Sequence, residues 1–120
     1  MPDLLLIDDN ADLRKVLREA VEINGFDVTM ARSAEEALDL LNGGFQPAII
    51  ICDLALPRMN GLQFASAVRA HPQWASILFI AMSGNTTSRD AALEAGANHY
   101  LVKPFSFQEL FDLLDQANLT

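Results

Sequence analysis

Residues 48 to 53 read Ala-Ile-Ile-Ile-Cys-Asp, and this run decides the fold. A strand of a sheet covered by helices on both faces is continuously apolar, because neither set of its side chains meets water. The run stops at a carboxylate, Asp53. Further along, Gly61 to Ala70 has a helical pattern that ends before His71 and Pro72, where proline disfavours a helical residue ahead of it.

Outward from this unit the same alternation repeats. Short apolar runs fall at Leu4 to Ile7, Val28 to Ala31, Leu78 to Met82 and Tyr100 to Val102. Helical patterns lie between them. Leu13, Val16, Leu17, Ala20 and Val21 share one helical face, which Asn24 and Gly25 bring to a stop. Ser33 with Glu36, and Ser106 with Glu109, have the spacing of a capping box, so helices two and five open there. Ser88 to Ala95 forms a fourth helix ended by Gly96. Its buried face is mostly alanine, with Leu93 the one large apolar side chain, so this helix is weakly anchored and suited to shift between two states. Strand after helix after strand gives a parallel sheet: an α/β (βα)5 doubly wound, flavodoxin-like fold with strand order 2-1-3-4-5.

The chain has 120 residues, 51% of them hydrophobic, which suits a single domain over residues 1–120 with one substantial core. No apolar stretch approaches the length of a membrane helix and no signal segment opens the chain, so the expected location is cytoplasmic. Cys52 stands alone within an apolar run and is read as a small core residue. Sixteen acids against eight bases leave a net charge of −8, and no Lys/Arg cluster occurs. Direct binding to nucleic acid is therefore not expected. The two lysines are Lys15 and Lys103, and Lys103 stands at the end of an apolar run, just before Pro104.

Ligands of doubly wound sheets bind outside the carboxyl ends of the strands. The first strand is followed by Asp8 and Asp9, the third ends in Asp53, the fourth leads to Ser83 and Gly84, and the fifth to Lys103. In the order 2-1-3-4-5 these groups converge on one edge. Seen alone, Asp8 with Asp9 would be a solvated turn, Ser83 with Gly84 a loop and Lys103 a strand exit. Their joint placement is what points to chemistry. Each close carboxylate pair costs about 4 kcal/mol at an effective dielectric near 20, so a cation is required. Mg2+ suits a site with one or two carboxylates and room for water and phosphate oxygens. An aspartate can accept a phosphoryl group, and such transfer depends on positioning and charge neutralisation rather than on a protein base. Asp53, on the central strand, is the candidate nucleophile.

These residues resemble the receiver domains of two-component response regulators, the chemotaxis-regulator-like superfamily, over nearly the whole chain. The matching segments are 4–10, 50–61, 80–84 and 95–105. The resemblance implies that Asp53 is the phosphoacceptor and Asp9 a direct magnesium ligand. It also implies that Asp8 binds the ion through water, that the Ala55 carbonyl completes the protein's contribution, and that Ser83 and Lys103 contact the phosphoryl group. Tyr100 is then a switch residue whose ring moves into the space left when Ser83 is drawn inward, reshaping the face of helix four, strand five and helix five. Such a domain is a signalling phosphoacceptor rather than an enzyme. Ala55 and Asn85 hold the two positions that influence phosphoryl lifetime. Ala55 has no side chain to orient a water, whereas Asn85 has.

Other readings fit less well. A flavodoxin-like phosphate binder needs hydroxyls or glycines where Asp8 and Asp9 stand, and a dehalogenase-type phosphatase needs an acid at the place of Ala55. A phosphorylation-independent docking module is the remaining alternative. The expected partners are a sensor histidine kinase or histidine phosphotransfer protein, docking on the helix-one face with Arg14 and Arg18, and a downstream protein, since an output domain is not expected within a chain ending at Thr120. A homodimer through the helix four, strand five and helix five face is a further expectation.

Overall fold

The computed structural model describes residues 3–118, and residues 1–2 and 119–120 of the expected 1–120 unit lie outside the described residues. The elements run β1 Asp3–Ile7, α1 Ala11–Ile23, β2 Asp27–Ala31, α2 Ala34–Asn42, β3 Ile49–Asp53, α3 Gly61–Ala70, β4 Leu78–Ser83, α4 Arg89–Ala95, β5 His99–Val102 and α5 Phe107–Asn118. All strand pairs are parallel in the order β2-β1-β3-β4-β5, as the sequence predicts. Among the described residues, no helix is long and apolar enough to cross a membrane.

Successive side chains of a strand point to opposite faces, and the apolar runs therefore feed two cores. Leu5, Ile7, Ile50, Cys52, Phe79 and Ala81 pack with Ala34 and Leu41 of α2, Phe64 and Val68 of α3 and Ala92 of α4. Leu4, Leu6, Ile49, Ile51, Ile80 and Met82 pack on the other face with Leu17 and Val21 of α1 and Leu110 and Leu114 of α5. Each large aliphatic side chain buried in this way contributes about 1.5–3 kcal/mol. Cys52 is a buried core residue, and burial, with the charges of Asp53 and Asp8 adding to it, pushes its thiol pKa well up.

The helices depart from the sequence reading in three places. Val16 lies on the predicted apolar face of α1, yet it is an exposed large hydrophobic residue, because the buried stripe narrows to Leu17, Ala20 and Val21. Leu93 is 43% exposed, and Ala92 is the residue that buries α4. The start of α4 also differs, since the helix opens at Arg89 and Ser88 stands just ahead of it, without a side-chain cap hydrogen bond.

Capping chemistry is likewise redistributed. Ser33 accepts from the Glu36 amide, but the Glu36 carboxylate pairs with Arg32 rather than reaching back. Ser106 accepts from the Glu109 amide, and its hydroxyl meets the Glu109 carboxylate. The reciprocal box forms instead at α3, where Asn60 accepts from the Gln63 amide and Gln63 accepts from the Asn60 amide.

Candidate functional site

Strand register brings the site together. Ile7 is level with Cys52, so Asp8 and Asp53 leave neighbouring strands at the same height. Ser83 is level with Val102, which sets Lys103 one residue beyond it. Asp8, Asp53 and Ser83 are buried, and Asp9 is exposed. Asp8, Asp9 and Asp53 each offer a carboxylate oxygen within 4.8 Å of the others.

Lys103 closes this acidic edge. Its Nζ donates to Asp8 Oδ2 at 3.0 Å and to Asp53 Oδ2 at 3.1 Å. The second oxygen of each acid is held by backbone, since the Asn10 amide donates to Asp8 Oδ1 and the Ala55 amide to Asp53 Oδ1. Burial alone would lower the Lys103 pKa. Its hydrogen bond to Asp8, with the charges of Asp53 and Asp8, outweighs burial and holds the ammonium above the ordinary lysine value. One ammonium against three carboxylates leaves the edge negative. Hard oxygen donors of this kind, one of them exposed, suit a small divalent cation that keeps part of its water.

Ala55 is exposed at the rim, where its amide fixes Asp53. The approach of α3 also bears on Asp53. A Cβ on Gly61 would fall 2.6 Å from the Asp53 carbonyl oxygen and from Leu54 Cα, so only glycine lets α3 start this close to the end of β3.

On the far side, Ser83 Oγ accepts from the Asn85 amide at 3.4 Å. The Tyr100 hydroxyl donates to the Asn85 carbonyl, and the ring is 8% exposed. The sequence reading has this ring move inward on phosphorylation. In the structure it already lies inside, held by the hydroxyl at one end and by β5 at the other.

Other residues support the site without having been singled out for it. Asn10 caps α1 through the Leu13 amide, a role its place before the helix could have signalled. Arg14, read as a surface residue, donates from Nη1 to the Asp8 carbonyl at 2.6 Å. Glu35 of α2 accepts from the Met59 amide and so ties down the segment after Asp53. Beside Lys103, an apolar cleft of about 350 Å³ is lined by Leu13, Leu17, Pro104, Phe105 and Phe107.

Fold and site together define a doubly wound α/β protein with an acidic, lysine-bridged pocket at the carboxyl ends of its strands. Residues 4–115 match the response regulator receiver domain family, and the chain belongs to that family. It is 35% identical over 107 residues to the response regulator MprA of Mycolicibacterium vanbaalenii, covering 89% of this chain and 46% of that protein. It is 36% identical over 110 residues to the transcriptional regulatory protein CpxR of Escherichia coli, covering 92% of this chain and 46% of CpxR. The chain thus spans about half the length of these two relatives. Among solved structures, a response regulator from Chloroflexus aurantiacus superposes with a TM-score of 0.93 at 32% identity, over 99% of this chain and 98% of that one. The receiver domain of the sensor histidine kinase PA1611 from Pseudomonas aeruginosa, which has a magnesium ion coordinated in its active site cleft, superposes with a TM-score of 0.89 at 26% identity, over 99% and 98% of the chains.

Proposed function

We propose that this domain accepts a phosphoryl group on Asp53 and alters its partner-binding surface in response. The observation that supports this most directly is the buried Asp53 carboxylate, with Asp8 and Asp9 close by and Lys103 bridging it to Asp8. Asp8, Asp9 and Asp53, with the Ala55 carbonyl, are the groups that would hold Mg2+. When bound, the ion would neutralise charge on the phosphoryl oxygens.

The chain's own residues do the rest. The Ala55 amide and Lys103 orient the Asp53 carboxylate, which attacks phosphorus. The bond from phosphorus to a phosphohistidine nitrogen breaks, and that nitrogen leaves with its electron pair. Lys103 and the Ser83 hydroxyl then hold phosphoryl oxygens, and no protein base is required. The domain acts as a phosphoacceptor that cycles between two states, not as an enzyme turning over a separate substrate.

The donor is a sensor histidine kinase or a phosphotransfer protein. The surface offered to it is the exposed side of α1, with Val16 and Arg18 and the half-buried Arg14 at its edge, together with the cleft beside Lys103. On the output side, drawing Ser83 toward the phosphoryl group stabilises the inward Tyr100 and the loop between them, a bias acting on the α4, β5 and α5 face. A downstream protein or a second copy of the domain reads that face.

The test is intact mass after incubation with Mg2+ and a small phosphodonor, for wild type, Asp53→Asn and a chelator control. A magnesium-dependent phosphoryl adduct absent from the variant is expected. An adduct that persists in Asp53→Asn would reject Asp53 as the acceptor.

A further inference from the structure

Asn85 carries more hydrogen bonds than its exposed position requires. Its amide donates to Ser83 Oγ, and its carbonyl accepts from the Tyr100 hydroxyl. Its side-chain Oδ1 faces the start of α4. There it meets the Thr87 amide at 3.0 Å, the Thr87 hydroxyl at 2.8 Å, the Ser88 amide at 3.2 Å and the Ser88 hydroxyl at 3.3 Å. A single amide oxygen thus gathers four donors at the start of α4.

The two ends of α4 are held differently. The far end is clasped by Arg69 of α3, whose Nε donates to the Gly96 carbonyl at 2.8 Å and whose Nη2 donates to Asn98 Oδ1 at 2.6 Å. The same guanidinium also donates to the carbonyls of Ala75 and Ile77. Gly96 has a left-handed backbone, and a Cβ there would fall 2.2 Å from Arg69 Cγ, so this end is locked. The near end has one buried residue close to it, Ala92, and no cap from Ser88. The Arg89 guanidinium, the first residue of the helix, lies 6.0 Å from the centre of the Tyr100 ring. What fixes this end is the Asn85 side chain.

We infer that Asn85 is a positioning residue that latches the first turn of α4 to the Ser83 and Tyr100 pair. This deepens the proposed phosphoacceptor reading and rests on it for the link from Ser83 to Asp53. Movement of Ser83 is passed through the backbone of residue 85 to Tyr100 and through its side chain to α4, which pivots on the end held by Arg69.

The test compares wild type, Asn85→Ala and Asn85→Asp by amide exchange. It adds the fluorine resonance of 3-fluorotyrosine, a single line because the chain has one tyrosine. Without any phosphodonor, Asn85→Ala should exchange the Thr87 and Ser88 amides about fivefold faster, the effect of losing a helix cap, and should shift the fluorine line. Asn85→Asp keeps the acceptor oxygen and should stay close to wild type. In the phosphorylated protein, the fluorine response to phosphorylation should shrink in Asn85→Ala. Unchanged exchange in Asn85→Ala would overturn the latch, as would a fluorine response to phosphorylation equal to that of wild type. A wild type that takes no phosphoryl group sinks the phosphoacceptor reading, and the exchange comparison still decides whether the latch exists.

Discussion

The Lys103 ammonium donates to the Asp53 carboxylate across 3.1 Å, and it holds Asp8 at the same time. Replacing Lys103 with Met leaves two buried acids without their counter-charge. Breaking a fully buried pair costs about 3–5 kcal/mol, but the Lys103 side chain is 24% exposed, so solvent screening reduces the expected loss to about 1–3 kcal/mol. Magnesium should restore stability to Lys103→Met more than it adds to wild type. Thermal denaturation with magnesium and with chelator checks this, and equal melting of the two proteins in chelator would contradict the role given to the ammonium.

Asp9 separates metal binding from folding. It is exposed, and no other residue relies on its carboxylate among the described residues, so Asp9→Asn should melt within about 0.5 kcal/mol of wild type in chelator. Its magnesium affinity should fall by at least about tenfold. A titration followed by protein fluorescence or calorimetry gives the ratio. Unchanged affinity would remove Asp9 from the ligand set.

Gly61 tests the join between β3 and α3. An added methyl meets the Asp53 carbonyl and the Leu54 backbone at 2.6 Å, and backbone cannot give way as a flexible side chain can. Gly61→Ala should destabilise the fold by about 1–3 kcal/mol, the usual range for overpacking, and should disturb the amide resonances of residues 53 to 55. Denaturant unfolding measures the first effect, and a wild-type midpoint would show that the close approach carries no strain.

Glu35 gives a pH dependence. Backbone amides, its own first and then that of Met59, hold its carboxylate below the ordinary 4.5, with burial opposing them and Arg58 adding to them. A depressed folded pKa stabilises at every pH above the unfolded value, and that contribution is lost as pH falls through the folded value. The Met59 amide should therefore lose exchange protection as pH falls through the folded Glu35 value, which lies below 4.5. Glu35→Gln should show no such step, and a step that survives this substitution would assign the titration elsewhere.

The strand ends were legible because each functional side chain directly follows an apolar run, and parallel pairing sets those ends level. Asp8, Asp53, Ser83 and Lys103 need only the strand order to be brought together. Val16 and Leu93 were misplaced because helical periodicity gives the direction of a face and not its width. On α4, Ala92 is buried in the core with Ala95 partly buried against it, and Leu93 turns to solvent. Ser33 and Glu36 have capping-box spacing, but Arg32 competes for the same carboxylate, a rivalry that spacing does not encode. The clasp made by Arg69 could not be read at all, since its partners are mainly carbonyls that only the folded chain gathers. Tyr100 was correctly set on β5, while its ring position depends on a backbone carbonyl in the loop before α4.

The sheet also separates α4 from α5. They flank the same edge strand, β5, yet α4 belongs to the core shared with α2 and α3, and α5 to the core shared with α1. One helix can therefore be displaced while the other stays registered to its own half of the molecule. A protein gripping both would sense the offset between a moving arm and a fixed reference, a differential measurement insensitive to tumbling or uniform expansion of the domain. Substitutions on the solvent side of α4 could then alter who takes the reading without retuning the gauge.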